Sequence, residues 1–326
     1  MTVLSAARGR GHADTAARRR TWITRPGTYL VILFVLAITL VPMLYLILSG
    51  FRTTGQLGSN PNGLPHPWVW SNYASILESA VFWQAVLNSA IIAVVATALA
   101  MVLGSMATFA LSRYAFRGRD GLFLLFTAGL LFPLNTAALP LFLMLQKIGM
   151  NDNLLGVALP EAAFSLPVTI VILRPFMRAI PGELEDAATV DGATRIRFFV
   201  RILLPLSRPA LITVGILAFV TSWNTYLLPL IVLSTPSHFT LPLAVAMFQS
   251  QYSTDTARVF AYTALSMLPA LSIFVFAQRY LVADRNGYAP RIPELEPVCR
   301  CYRPAPLGTR CGAPKAASRR SCWSSV

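Results

Sequence analysis

Six apolar blocks, residues 29–50, 83–111, 121–145, 154–176, 210–233 and 259–282, alternate with shorter polar stretches along the chain. Each approaches or exceeds the ~20 residues that a helix needs to cross ~30 Å of hydrocarbon. The pattern predicts an all-α integral membrane protein with six transmembrane helices. The first block is too long for the apolar region of a signal peptide, so it is expected to stay as a span behind residues 1–28. The second is rich in Ala, Gly and Ser, which let membrane helices approach closely. Pro133 and Pro140 predict a kink in the third, and Pro160 and Pro167 a break in the fourth. No internal repeat is visible.

One interruption differs from the rest. Residues 181–209, PGELEDAATVDGATRIRFFVRILLPLSRP, are polar and charged. Glu183, Glu185 and Asp186 follow Pro181, as expected for the first turn of a helix, where the dipole favours negative charge. Leu184, Ala187 and Ala188 then share a small-residue face, and Gly192 ends the run. Ile196, Phe199, Val200 and Leu203 restart a helical period, which Pro205 and Pro209 close. The expectation is a short amphipathic helix, a glycine turn and a second helix.

Charge decides where this hairpin lies. Charged residues make up 12% of the chain, against roughly 25% in soluble domains, so a net charge of +14 reports membrane topology rather than nucleic acid. With the N-terminus inside, 24 of the 27 Lys and Arg fall in inner segments, leaving only Arg52, Lys147 and Arg258 outside. Basic residues collect on the cytoplasmic side, which places both termini and the hairpin there. Trp68, Trp70 and Tyr73, at the end of the first outer loop, fit an interfacial aromatic belt. All four cysteines lie at 299–322 with no zinc-ligand spacing. Residues 283–326 lose all periodicity, and read either as a disordered tail or as the translation of a shifted reading frame.

Several chemistries lack their signature. No Gly-x-x-x-x-Gly-Lys-Ser/Thr loop is present to cradle a nucleotide, nor a His-Glu-x-x-His or Gly-x-Ser-x-Gly motif. The chain is therefore expected to hydrolyse nothing itself, to hold no cofactor or metal, and to receive its energy from another chain. An ion-coupled carrier would need acids at mid-depth in several spans, and Glu161 alone is inside one. Glu161, Asn135, Trp223, Asn224 and Tyr226 are polar or aromatic residues in membrane segments that could line a solute path. Helix–helix hydrogen bonding is the competing role for the polar ones, and the expected role of Asn88.

Asp186-Ala187-Ala188, three residues, Gly192, nine residues, then Ile202-x-Leu204-Pro205 resembles the EAA loop of ABC-importer permeases. Asp186 stands where that family usually has Glu. Asn88-Ser89, RYAFRGR, LLGVALPEAAFSLP, SWNTYLLPLIVLS, TLPLAVAMFQSQY and FVFAQRYLV are similar to the carbohydrate-uptake, maltose-permease-like branch. The likeness covers residues 25–282. It implies a type I ABC-importer permease fold, with a permease domain over 83–282 and a cytoplasmic coupling-helix hairpin. Glu183, Glu185, Asp186, Ala187, Ala188, Asp191, Gly192 and Ala193 would then couple to the ATPase, while Ile202, Leu204 and Pro205 fold the loop. Implied partners are a sister permease, forming a heterodimer, a dimer of ATP-binding subunits, and an extracytoplasmic sugar-binding protein. A permease for polyamine, phosphate or peptide is the alternative within the same class.

Overall fold

The computed structural model describes residues 26–248 and 255–283, with side chains described over 27–248 and 255–275. The basic N-terminal segment up to residue 25 and the tail from 284 lie outside the described residues. Among the described residues the chain is helical throughout, without strands.

In chain order the helices are α1 (Pro26–Gly50), α2 (Thr54–Ser59), α3 (Ser71–Leu77), α4 (Ala80–Arg113), α5 (Arg119–Gly129), α6 (Leu134–Lys147) and α7 (Leu154–Ala179). There follow α8 (Glu183–Val190), α9 (Arg195–Phe198), α10 (Arg208–Trp223), α11 (Leu227–Val232), α12 (Leu241–Ala244) and α13 (Thr256–Ala283). Helix α9 runs on through a π turn, Phe199–Leu203, to Leu206. Four helices, α1, α4, α7 and α13, are long and apolar enough to cross a membrane, and six spans result if two sharply bent pairs each count as one.

The centre is the pairing of α4 with α7, the most extensive helix contact among the described residues. Helix α4 buries a stripe of mostly small residues, including Ala85, Ser89, Ala93, Ala96, Ala100, Gly104 and Thr108. A Cβ on Gly104 would overlap the Thr169 side chain of α7, so the two backbones meet as closely as glycine allows. Helix α10 packs on both, and α13 joins α10 to α1. Nearly the whole length of α1 is exposed on all sides, an apolar surface suited to hydrocarbon, and Tyr45 against Phe260 (6.0 Å between ring centroids) marks its contact with α13.

Prolines act differently from the sequence expectation. Helix α7 runs unbroken through Pro160, Pro167 and Pro175, because packing against α4 supports it along its length and membrane helices tolerate proline where neighbours re-satisfy the backbone. Pro140 likewise sits inside α6 without a break. Pro133 does more than kink: at the N-cap of α6 it lies in a break that turns α5 and α6 98° apart. The expected fifth span is also divided. Helix α10 has 16 residues, or ~24 Å, and stops where Asn224 Nδ2 and Thr225 Oγ1 donate to the Val220 and Thr221 carbonyls at 2.7 and 2.9 Å. Such local side-chain bonds compete with helix continuation.

The hairpin (residues 181–209) lies at one end of the bundle, and the opposite end is tied down by polar clips. Arg52, 2% exposed, donates to the carbonyls of Gln56 and Pro61 at 2.8 Å each and to that of Asn60. Asn72 Nδ2 donates to the Gly50 and Arg52 carbonyls. Phe51 gathers Trp68, Trp70 and Tyr73 around it, so these aromatics form one cluster, with Trp68 and Trp70 still 49% and 65% exposed.

Replacing Gly104 with Leu should therefore separate α4 from α7. A loss of roughly 1–3 kcal/mol is expected for such overpacking, read as a lower melting temperature of the detergent-solubilised protein. An equal substitution at Gly58, where a Cβ meets nothing within 4 Å, should leave it unchanged.

Candidate functional site

The hairpin is built from local rules. Helix α8 has Glu183, Glu185 and Asp186 in its first turn, where the dipole favours them. It ends in a Schellman turn. Gly192 takes φ 77°, its N–H bonds the Thr189 carbonyl at 3.0 Å, and the Ala193 N–H bonds that of Ala188 at 2.8 Å. A side chain at Gly192 would be strained though space is open around it. Thr194 then caps α9, accepting from the Arg197 N–H at 3.3 Å.

One face locks the hairpin to the bundle. Ala188, Phe198, Phe199 and Leu203 are buried with Leu173 and Met177 of α7 and Ala210 and Val214 of α10, and Ala193, Ile202 and Leu204 pack against this cluster. Ile196 and Val200, expected on the inward face, are instead 75% and 52% exposed. The arm is anchored through Phe198, Phe199 and Leu203 instead, which leaves Ile196 and Val200 at the outer edge. Pro205 does not close the arm, which continues to Leu206 before an 80° bend into α10. Pro209 sits in the first turn of α10, where its missing N–H costs nothing.

The opposite face is open. Of the Leu184, Ala187, Ala188 trio only Ala188 turns inward. Glu183, Asp186, Ala187 and Asp191 are exposed, together with Leu184 at 42% and Val190 at 88%. Val190 is thus an exposed apolar side chain that the periodicity did not single out, and Ile196, which the periodicity placed on the apolar face, is exposed as well. Glu185 points back into the protein, where Tyr114 Oη donates to its Oε1 at 3.2 Å. Burial, followed by the Glu185 charge, holds the Tyr114 hydroxyl above its ordinary pKa. The Arg195 guanidinium lies 4.9 Å over the Tyr114 ring. A polar cavity of about 630 Å³ opens here between the end of α4 and the hairpin, with Arg113, Tyr114, Glu185, Asp186 and Arg195 in its wall.

The residues expected to line a solute path do not converge. Trp223 is buried in the core beside Tyr262 and Phe82 and stacks on Phe219 at 5.7 Å. Asn135 and Asn224 are exposed, as is Tyr226 at 46%. Glu161 alone lines a cavity, of about 240 Å³, beside the break between α5 and α6. Its other polar walls, Ser165, Thr221, Ser222 and Thr225, went unnoticed in the sequence because Ser and Thr are common in membrane helices. Asn88 is glue of a particular kind: its Nδ2 donates to the Ser237 and Phe239 carbonyls at 2.8 and 3.0 Å. Ser89 Oγ accepts from the Leu241 N–H at 2.7 Å. Together they hold the loop that leads into α12.

A second clip joins the loops at the far end. The Asp152 carboxylate accepts from the Ser234 and Thr235 N–H groups at 2.9 and 3.0 Å, and from the Thr235 hydroxyl. His238 Nδ1 lies 3.2 Å away. These bonds, those from Thr235 first, hold the Asp152 carboxyl well below the usual carboxylate range.

A bundle of apolar helices, two of its spans bent, with an amphipathic hairpin locked at one end defines a multi-span membrane protein. Residues 100–285 match the family model of the binding-protein-dependent transport system inner membrane component, and the chain belongs to that family. It is 35% identical over 249 residues to the diacetylchitobiose uptake system permease protein NgcG of Streptomyces coelicolor, covering 76% of this chain and 82% of that one. It is 34% identical to the trehalose transport system permease protein SugB of Mycobacterium tuberculosis, covering 81% and 98%. A chain of a bacterial ABC transporter involved in import of the acidic polysaccharide alginate shares the fold, with TM-score 0.68 at 21% identity over 81% of this chain and 97% of that one. The chain is a transport component, not an enzyme.

The Asp152 clip carries a pH signature. A carboxyl depressed on folding contributes stability above its ordinary pKa of 3.8, and that contribution is lost as pH falls from there through the lower folded value. The solubilised protein should lose melting temperature below pH 4, whereas Asp152→Asn should start lower and lose less over the same window. A wild-type protein whose acid loss equals that of Asp152→Asn would assign the sensitivity elsewhere.

Proposed function

We propose that this chain forms half of the translocation pathway of an ATP-driven sugar importer, paired with a sister permease and fed by an extracytoplasmic sugar-binding protein. The observation that carries the sugar assignment is its likeness, at 34–35% identity over most of both chains, to permeases named for diacetylchitobiose and trehalose uptake. The excess of Lys and Arg in alternate loops supports an orientation with both termini and the hairpin in the cytoplasm.

The hairpin is the point at which a separate ATPase couples. Its inward face is fully engaged in the core, so the open face of Leu184, Ala187, Val190 and Ile196, edged by Glu183, Asp186 and Asp191, is free for a partner. Exposed apolar side chains rimmed by charge mark an interaction surface. Glu185 has a different part. Through Tyr114 it ties α8 to the end of α4, so it sets the hairpin's angle rather than meeting the ATPase. Ile202 and Leu204, against the buried cluster, and Pro205, in the continuing arm, belong to the fold of the loop. Closure of two ATP-binding subunits would draw the two hairpins together and switch the access of the pathway.

The exposed Ala187 gives the cleaner test, because a large side chain there disturbs the partner surface and not the core. Ala187→Trp should reach the membrane in wild-type amount yet lower sugar uptake by tenfold or more, with weakened retention of the ATPase on purification. Gly192→Leu should also abolish uptake, since a left-handed conformation costs a side-chain-bearing residue roughly 1–2 kcal/mol and reshapes the turn. Wild-type uptake by the Ala187→Trp complex would remove the coupling role.

A further inference from the structure

We infer that the cavity beside Glu161 is a saccharide-contacting point, where the free Glu161 oxygen accepts a hydrogen bond from a hydroxyl of an uncharged sugar in transit. This rests on the sugar-permease reading above and adds a residue and a substrate class to it.

Glu161 is 5% exposed. Its Oε2 accepts from the Ser222 hydroxyl across the α7–α10 interface, while its Oε1 is buried with no partner. An unpaired acid oxygen in a membrane protein is costly, so an acid held this way is suited to a group that arrives and leaves. The cavity wall on which it lies has a consistent polarity. Ser165 Oγ donates to the Glu161 carbonyl at 2.8 Å, Thr225 Oγ1 to that of Thr221 at 2.9 Å, and Ser222 to Glu161 itself. With these three protons engaged, Ser165, Ser222 and Thr225 turn mainly lone pairs to the cavity, and the Thr221 hydroxyl is the donor left in the wall.

A wall richer in acceptors than in donors favours a ligand that donates. Sugar hydroxyls do so, whereas a carboxylated saccharide would have to desolvate its own charge beside a buried acid. Phe132, Phe164 and Val168 give the remaining wall an apolar character, suited to the C–H faces of a sugar ring. The non-helical stretch between α5 and α6 borders this cavity, and irregular backbone at membrane depth is tolerated where it lines one. The volume of about 240 Å³ is below the roughly 300–1,000 Å³ of complete ligand pockets, as suits one half of a shared pathway.

The test is transport by the complete complex in proteoliposomes, with both permeases, the ATPase and the binding protein present. A panel of trehalose, diacetylchitobiose and their monodeoxy analogues is used, and sugar moved is divided by ATP hydrolysed. In the wild type, removing one particular hydroxyl should lower this ratio about five- to tenfold, the size of one hydrogen bond. In Glu161→Ala that position should cease to matter while the others keep their effect, a selectivity that misfolding cannot produce. Where Glu161→Ala does not assemble, Glu161→Gln serves, since with its carbonyl kept on Ser222 it turns an amide NH₂ to the cavity. Unchanged sensitivity at every position in the variant that assembles would overturn the contact. Transport of a uronic-acid analogue at the neutral sugar's rate would overturn the substrate class. A wild-type complex that carries no saccharide at all would instead sink the sugar reading.

Discussion

The close approach of α4 and α7 at Gly104 and Thr169 governs much of the rest. Without a hydrophobic force between helices in lipid, association depends on packing, and at position 104 only glycine leaves room for the Thr169 side chain. Both helices run on to the hairpin end. Helix α4 delivers Tyr114 to Glu185, and α7 delivers Leu173 and Met177 to the cluster that receives Ala188 and Phe198. Sliding or parting the pair would move these two anchors relative to each other. The position of the hairpin is therefore set from a contact ~15 Å back along α4.

Where that pairing gives out, the chain stops behaving as simple spans. The α5–α6 break and the short α10 leave backbone groups that hydrocarbon cannot satisfy. A hydroxyl takes up part of that task at the end of α10, where Thr225 donates to the Thr221 carbonyl, and Ser165 makes the same kind of bond within α7. The same bonds strip those side chains of donors. Local side-chain bonds thus shape the polarity of the cavity on which Glu161 lies.

Apolar block length was enough to find the four long helices α1, α4, α7 and α13, because crossing ~30 Å leaves little choice, and the Gly192 turn follows from chemistry confined to a few residues. What failed were inferences that needed tertiary context. Pro160 and Pro133 look alike in the sequence, yet only Pro133 lies at a break, since α4 supports α7 and nothing equivalent supports residues 130–133. Ile196 reads as part of the apolar face, yet it is exposed because the arm is anchored on the bundle through Phe198, Phe199 and Leu203. Trp223 reads as a possible sugar platform, but its ring is needed to fill the core beside Tyr262. Val190 gives no signal in sequence at all, its 88% exposure being a consequence of where Ala188 is anchored.

These contacts connect the hairpin to the cavity by two stiff routes. Helix α7 carries Glu161 and Ser165 near one side of the cavity and ends two turns after Leu173, in the hairpin's anchor. Helix α10 begins at the 80° bend after the hairpin's second arm and ends at Ser222 and Trp223, some ~24 Å on. The Ser222–Glu161 bond closes the loop between them. A hairpin displaced as a unit would load both helices at one end, and their other ends meet at a single hydrogen bond beside the cavity. Because packed interfaces shift between discrete arrangements rather than deforming smoothly, a displaced hairpin would change that bond and the polar groups facing the cavity.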